Sequence, residues 1–539
     1  MPFYTADKRC IRVKIMTYAV ITFSPVQGFI EKSRKLRDLY GASIILSYLS
    51  QQLVEAAKTY QLEIISPGLV NVAQGMPNRI LIKGDFSQHP IEAWVPNTLL
   101  GAWKAILSEC KQWIEHNIPE HSPDFFYHWH RDWEMWGTHT WEIFWGSGNS
   151  IPEAMEDLET RKLSRNWTGI NWIGESSSLT GIDAIAWPGL GSGSRNPKTL
   201  KHSDENAKIE SFYAQLATVL ETPSRSISGE DEQLVEGKFL DPHERLSIPE
   251  LVKRLITRYE IRRSFEKIPA LKRFSDLERK PDPEKNHSGQ WTGWFMGDGD
   301  KVGKKLKEIA DQSGDHGLQS FSKSMRTWGR DFMQKFPSDL GRVIYAGGDD
   351  FLGVIYSKNP NQPIPPQRAL KWLMELNNEW KTHKQEITLS VGFVWAGHSV
   401  PQRDVLQHCR EAEKQAKSLG RDRVTLRIVF NSGQSVQWTC PWEHLSLLNQ
   451  YRDRNGGQNW SQVYSDLAQL KARHSIEPKS KNPDYKLALA LMNIYFQNSG
   501  EMILKNQQKL VGNTSSTSLL QWIEDLILVG WQLCSSVEP

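Results

Sequence analysis

RVIYAGGDDFLGVIYS, residues 342–357, reads as two apolar strands joined through Gly347, Gly348, Asp349 and Asp350. A hairpin needs a turn, and Gly-Gly or Asp-Gly pairs make tight ones. It does not need two adjacent carboxylates, which repel each other unless something positive lies between them. A divalent metal ion is the obvious candidate. Four letters alone leave a plain solvated turn equally open.

The flanking sequence supplies the setting. GQWTGWFMGDGD (289–300) is a strand ending in Asp298 and Asp300. KVGKKLKEIADQ (301–312) and GLQSFSKSMRTWGRDFMQKF (317–336) are two helices. After the hairpin come a helix (366–384), a strand (386–397), a second helix (402–420) and a strand, RVTLRIVF (423–430). That order is a ferredoxin-like core extended at its end. In such a core the first strand lies beside the central hairpin. Asp298 can therefore meet Asp349 and Asp350, although 298 and 349 are 51 residues apart.

Three carboxylates at one sheet edge are hard oxygen ligands. Mg²⁺ usually keeps one or two of them and fills its shell with water and substrate phosphate. Gly347 and Gly348 let backbone approach a triphosphate closely. Lys414, Lys417, Arg421 and Arg423, on or just past the last helix, are candidates for neutralising phosphate. Simpler roles exist for the pieces. Asp300 precedes a helix and suits an N-cap, and Lys414 and Lys417 suit a solvated helix face. Their joint placement favours a metal–nucleotide site. Metal-assisted attack of a ribose 3′-hydroxyl on an α-phosphate needs no side-chain base.

The N-terminal region repeats the pattern. IMTYAVITFS (15–24) is a strand, a helical stretch with Lys32, Arg34, Lys35, Arg37 and Gly41 follows, then two strands within 61–83 and a helix over 90–117. This too is a ferredoxin-like order, without a GGDD turn. Residues 118–145 place Trp129, Trp133 and Trp136 on one helix face, and the histidines among them lack a clean metal-ligand spacing. Residues 174–235 are rich in Gly, Ser, Pro and Asn, and GLGSGSRNPK (189–198) reads as a mobile loop, not a phosphate cradle. Residues 243–268 return to helix, RKPDPEKNHSG (279–289) is a linker, and the stretch from about 435 reads as mostly helical.

The 539 residues, net charge +3 and 24% charged composition describe a globular chain of three or four domains without a strongly basic surface. Five scattered cysteines, with no C-x-x-C, suit a reducing cytoplasm and offer no cysteine zinc site. No apolar run approaches the roughly 20 residues of a membrane span.

GDGDKVG, YAGGDDFLGVIY and SVGFVWAG…EAEKQAKSLGRDRV resemble the polymerase/cyclase palm family, which includes the GGDEF cyclases. More closely they resemble the large subunit of type III-B, Cmr-type, CRISPR RNA-guided effector complexes. TFSPVQGFIEKSRKLRDLYGASIILSYL (22–49) and MPNRILIKGD (76–85) resemble that subunit's first palm.

The resemblance implies an α+β chain with four parts. They are a degenerate first palm with a Trp-rich helical insertion (1–170), a helical middle domain (171–285), a GGDD palm (286–432) and a helical C-terminal domain (433–539). It implies a cytoplasmic subunit that works with other Cmr-type subunits, guide CRISPR RNA and target RNA. On target binding it would condense ATP into cyclic oligoadenylates with Mg²⁺ or Mn²⁺. Asp349 and Asp350 are the catalytic expectation, and with Asp298 they are the metal ligands. Gly347, Gly348, Lys417 and Asp300 are the nucleotide-binding expectation. Many relatives carry an N-terminal HD nuclease domain; a first strand starting near residue 15 leads us to expect none. Relatives often hold zinc on cysteines of the middle domain. Here Ser177, Thr180, Ser247 and Glu250 occupy those places, so no zinc is expected. Two other readings stay open, a catalytically silent scaffold and a stand-alone diguanylate-type cyclase.

Overall fold

A computed structural model of the chain describes residues 17–165, 169–170, 172–191, 198–199, 201–221, 238–268, 277–283, 286–476, 485–512 and 519–535. Most of the glycine-rich run 189–198 and residues 15–16 of the first expected strand lie outside them. The fold is α+β, built on two sheets.

The first sheet contains β1 (Thr17–Ser24), β2 (Glu63–Ser66), β3 (Arg79–Gly84) and β4 (Glu142–Gly148) in the order β2-β3-β1-β4. Helices α1 (Leu36–Thr59) and α2 (Ile91–Asn117) complete a ferredoxin-like unit. Strand β4 was not expected. It follows the Trp helix α3 (Tyr127–His139), on which Trp129 and Trp133 are buried, and it pairs along β1 from Tyr18–Gly148 to Ser24–Glu142. Helix α4 (Ile151–Leu163) then sets Ala154 and Leu158 against Val20.

Helix α1 runs straight through Gly41. The glycine serves close packing, since a Cβ there would stand 1.7 Å from the Lys253 carbonyl oxygen. That carbonyl belongs to α6 (Ile248–Leu255) of the middle segment, which follows α5 (His202–Glu221). Helix α5 is a helix of the middle segment within the Gly-, Ser-, Pro- and Asn-rich stretch 174–235. Ile209, Phe212, Tyr213, Leu216 and Leu220 recur at helical spacing and are buried.

The basic run at 32–37 is neither a solvated face nor a free cationic patch. Lys32 pairs with Asp183 at 2.8 Å, and Lys35 with Asp241 at 3.2 Å and Glu244 at 3.4 Å. Arg37 is buried, bonded to Thr257 and stacked 3.7 Å over the Phe239 ring. The run docks the first domain onto the middle segment, and only Arg34 stays about half exposed. Beneath it, Arg254 bonds Asp38 at 2.6 Å and Glu244 at 2.6 Å, all three buried. Burial alone would raise both acids; Arg254 overrides it and holds their carboxyls below the usual range.

The four places of the absent cysteines also converge. The Ser177 and Thr180 hydroxyls donate to Glu250 Oε1 at 3.2 and 3.0 Å, and the Ser247 amide donates to Glu250 Oε2 at 2.8 Å. A hydrogen-bonded knot joins the two segments there.

The second sheet contains β5 (Thr292–Gly299), β6 (Gly341–Ala346), β7 (Asp350–Ile355), β8 (Leu389–Ala396), β9 (Arg423–Val429) and β10 (Ser435–Pro441) in the order β10-β9-β8-β5-β7-β6. Strand β10 differs from the expected helical start of the C-terminal part: SVQWTCP pairs along β9 and buries Trp438 and Cys440. Helix α7 (Val302–Lys335) turns at Gly314, matching the two helices expected there. One sheet face carries α7 and α8 (Pro366–Trp380), packed around Phe295, Phe351, Trp328 and Phe332. The other carries α9 (Gln402–Ser418) together with Leu36, Leu39 and Tyr40 of α1. The two ferredoxin-like units therefore share a core. Tyr40 donates to the Val343 carbonyl at 3.2 Å, and Lys83 pairs with Asp315 of α7 at 2.5 Å.

Beyond β10, helices that include α10 (Ser461–Ala472), α11 (Lys486–Tyr495) and α12 (Leu519–Cys534) extend the same core, with α12 lying on β10 and Trp522 bonded to the Thr439 carbonyl at 2.8 Å. Among the described residues no helix is long and apolar enough to cross a membrane.

Candidate active site

Strands β5 and β7 are antiparallel neighbours, and their register sets Asp298 directly opposite Asp350. Directly paired residues project from the same sheet face. Alternation along β7 sends Phe351 to the opposite face, where its ring lies 5.3 Å from Phe332 and 5.7 Å from Trp328. The strand end thus stands on an aromatic floor, with Asp298 and Asp350 on the other side.

Backbone bonds pin the turn from two sides. The Gly347 amide donates to the Asp350 carbonyl at 3.0 Å, and the Gly299 amide donates to the Asp349 carbonyl at 2.8 Å. The glycines differ in what they spare. A Cβ on Gly347 would crowd Asp350 Oδ1 at 2.9 Å, whereas one on Gly348 meets nothing within 4 Å. The turn is open on the Gly348 side.

Lys417, near the end of α9, places Nζ 2.9 Å from Asp298 Oδ1 and 2.6 Å from Glu413 Oε1. Desolvation pushes the carboxyls of Asp349 and Asp350 well above the usual range, and repulsion among the three aspartates adds to it. Asp350 still reaches solvent, which limits the desolvation on that carboxyl. Asp298 is raised less, because Lys417 opposes its desolvation.

The other expected residues have different surroundings. Asp300 is buried and does not cap α7; Lys301 takes the cap position. Its carboxylate accepts from Thr388 Oγ1 at 2.8 Å, Ser390 Oγ at 2.7 Å and the Asp422 amide at 3.0 Å. These bonds tie the ends of β5, β8 and the α9–β9 loop together beneath the site. Lys414 is exposed. Arg423 turns away from the turn, donating to the Lys509 carbonyl at 3.2 Å. Glu413 was missed, although its spacing of four from Lys417 on a helix was a usable signal.

Among the described residues, no three His, Cys, Asp or Glu side chains form a ready-made metal cage. The donor chemistry nevertheless suits Mg²⁺ or Mn²⁺: hard carboxylates at an open edge, two of them raised by desolvation and by repulsion from neighbouring carboxylates, both of which a cation would offset. Asp298, Asp349 and Asp350 are the residues that would hold such an ion.

Residues 292–425 match the family described as Cas10/Cmr2, second palm domain, and residues 18–122 match CRISPR-associated protein Cmr2, N-terminal. Among solved structures, the fold is similar to a type III-B Cmr-beta structure in the apo state, at TM-score 0.57 and 11% identity over 96% of this chain and 82% of that one. A Csm1–Csm4 cassette with one ATP aligns at TM-score 0.46 and 14% identity, over 98% and 71%. The same cassette with cA4 aligns at TM-score 0.45 and 15% identity, over 97% and 71%. No curated protein matches the chain.

Proposed function

The chain belongs to the Cas10/Cmr2 family of type III effector large subunits, and from that premise we propose that its GGDD turn condenses ATP into cyclic oligoadenylates. In this reading it acts within a complex of effector subunits and guide CRISPR RNA once target RNA binds. The observation that carries the proposal is the direct pairing of Asp298 with Asp350, with Lys417 closing on Asp298.

A divalent ion held by Asp298, Asp349 and Asp350 would activate a ribose 3′-hydroxyl and balance triphosphate charge. The protein's own groups do the rest. The open Gly348 side admits the phosphates. Lys417 Nζ exchanges its hold on Asp298 for a phosphate oxygen, a charge-assisted bond that orients the triphosphate. Asp300 keeps the end of β5 in place through Thr388 and Ser390. The aromatic floor under Phe351 stops the turn from sinking when charge builds above it.

The test incubates the assembled complex with ATP, Mg²⁺ and complementary target RNA and reads cyclic oligoadenylates by mass spectrometry. Product that disappears in the Asp349→Ala/Asp350→Ala double variant is expected. An absence of product, or product unaffected by the double variant, would leave the chain a scaffold.

A further inference from the structure

Arg326 lies on the second half of α7 and is 1% exposed. Its guanidinium joins two distant segments. In the loop between β2 and β3 it donates to the carbonyls of Leu69 at 3.0 Å, Asn71 at 3.2 Å and Gly75. In the catalytic turn it donates to the Gly347 carbonyl at 2.5 Å. Gln74 of the same loop answers from the other direction: its Nε2 donates to the Arg326 carbonyl at 2.5 Å and to the Ala346 carbonyl at 3.1 Å. One turn along the helix, a Cβ on Gly329 would stand 2.6 Å from the Ala346 carbonyl oxygen. Helix, loop and turn are in direct contact with no slack.

A buried cation is costly unless it is well bonded. Here its bonds go to carbonyls, and burial pulls the guanidinium down to about 10, with Asp350 the acid that opposes this. Only arginine offers five donors in a rigid planar fork, enough to reach the carbonyls of both segments at once. Simple docking of the two units does not require this arrangement, because Tyr40, Lys83 and the shared apolar core already supply it. What Arg326 adds is a fixed position for Gly347, two residues before Asp349.

We propose that Arg326 is the positioning residue of the GGDD turn, and that with the Leu69–Met76 loop it makes the turn's geometry depend on how the first ferredoxin-like unit is docked. A change in that docking would reach the carboxylates through Arg326, seconded by Gln74. The proposal rests on the nucleotidyl-transfer reading of the turn.

The test uses the full chain in the assembled complex, with Arg326→Gln, Arg326→Lys and Gln74→Ala. Amide exchange read by mass spectrometry compares peptides covering 341–355 with peptides covering 423–441. Oligoadenylate synthesis gives kcat and KM for ATP. In Arg326→Gln, exchange at the turn should rise about tenfold with 423–441 unchanged. The kcat should fall about 100-fold, the scale expected of a misplaced reacting group, with KM nearly constant. Arg326→Lys should rescue little, since a point charge cannot span both segments, and Gln74→Ala should shift both readouts the same way by less. Unchanged exchange and kcat would overturn the proposal. So would exchange raised equally in both regions, which marks a general staple. If the parent complex makes no product, the nucleotidyl-transfer reading fails, while the exchange comparison still decides whether Arg326 holds the turn.

Discussion

Lys417 Nζ stands 2.9 Å from Asp298 Oδ1, so a cationic group already occupies one side of the carboxylate cluster. Burial works against the lysine's charge, yet Glu413 and Asp298 hold its ammonium above the ordinary range. Asp298 and a nucleotide phosphate would compete for the same group. Lys417→Met should therefore raise KM for ATP by about 10–100-fold, the worth of one charge-assisted hydrogen bond. The fold should survive, because Lys417 is partly exposed. Steady-state kinetics and a thermal melt separate the two effects.

Stability of the metal-free chain should fall as pH rises from the ordinary carboxylate range, about 4, to about 7. Asp349 and Asp350 have raised affinities for protons in the folded state, so the fold binds protons that the unfolded chain has already released. Raising pH strips them and leaves repelling charges. Melting temperature against pH should show this fall, and Asp350→Asn should flatten it. Mg²⁺ should stabilise more at pH 8 than at pH 6, since it needs the deprotonated pair.

Arg254→Ala should destabilise the fold by about 3–5 kcal/mol, because it leaves Asp38 and Glu244 buried without their cation. Denaturant titration measures this. The loss should appear in the contact between the first unit and the middle segment, which Asp38 and Arg254 bridge.

Ser177, Thr180, Ser247 and Glu250 meet at hydrogen-bonding distances, at the spacing of two C-x-x-C pairs. Replacing all four with cysteine should create a tetrahedral thiolate site. One equivalent of zinc by elemental analysis, and Co²⁺ charge-transfer absorption, are the expected results. The parent chain serves as the control.

The palm around the GGDD turn was legible because its evidence is local. Short apolar runs bounded by glycines and aspartates mark β5, β6 and β7, and the strand order of a ferredoxin-like core places 298 beside 350. Other elements lacked that signal. Strand β4, EIFWGSG, directly follows a Trp-rich helix and was absorbed into it. Helix α5 follows a run of Gly, Ser and Asn that masked its helical period. Strand β10 has only β9 to identify it, a partner set by tertiary pairing.

The GGDD carboxylates, the glycines beside them and the strand that brings Asp298 to them are written in residue types and period, because hairpin and strand chemistry act over a few residues. The uses of individual cations are not. Lys32, Lys35 and Arg37 look like a free basic patch until Asp183, Glu244 and Phe239 close on them. Arg423 looks like a phosphate ligand until it turns to the C-terminal helices. Arg326 looks like any helix arginine until the Leu69–Met76 loop arrives some 250 residues upstream in the chain. A long charged side chain takes its role from whatever the fold desolvates around it, and that environment exists only once the chain has folded.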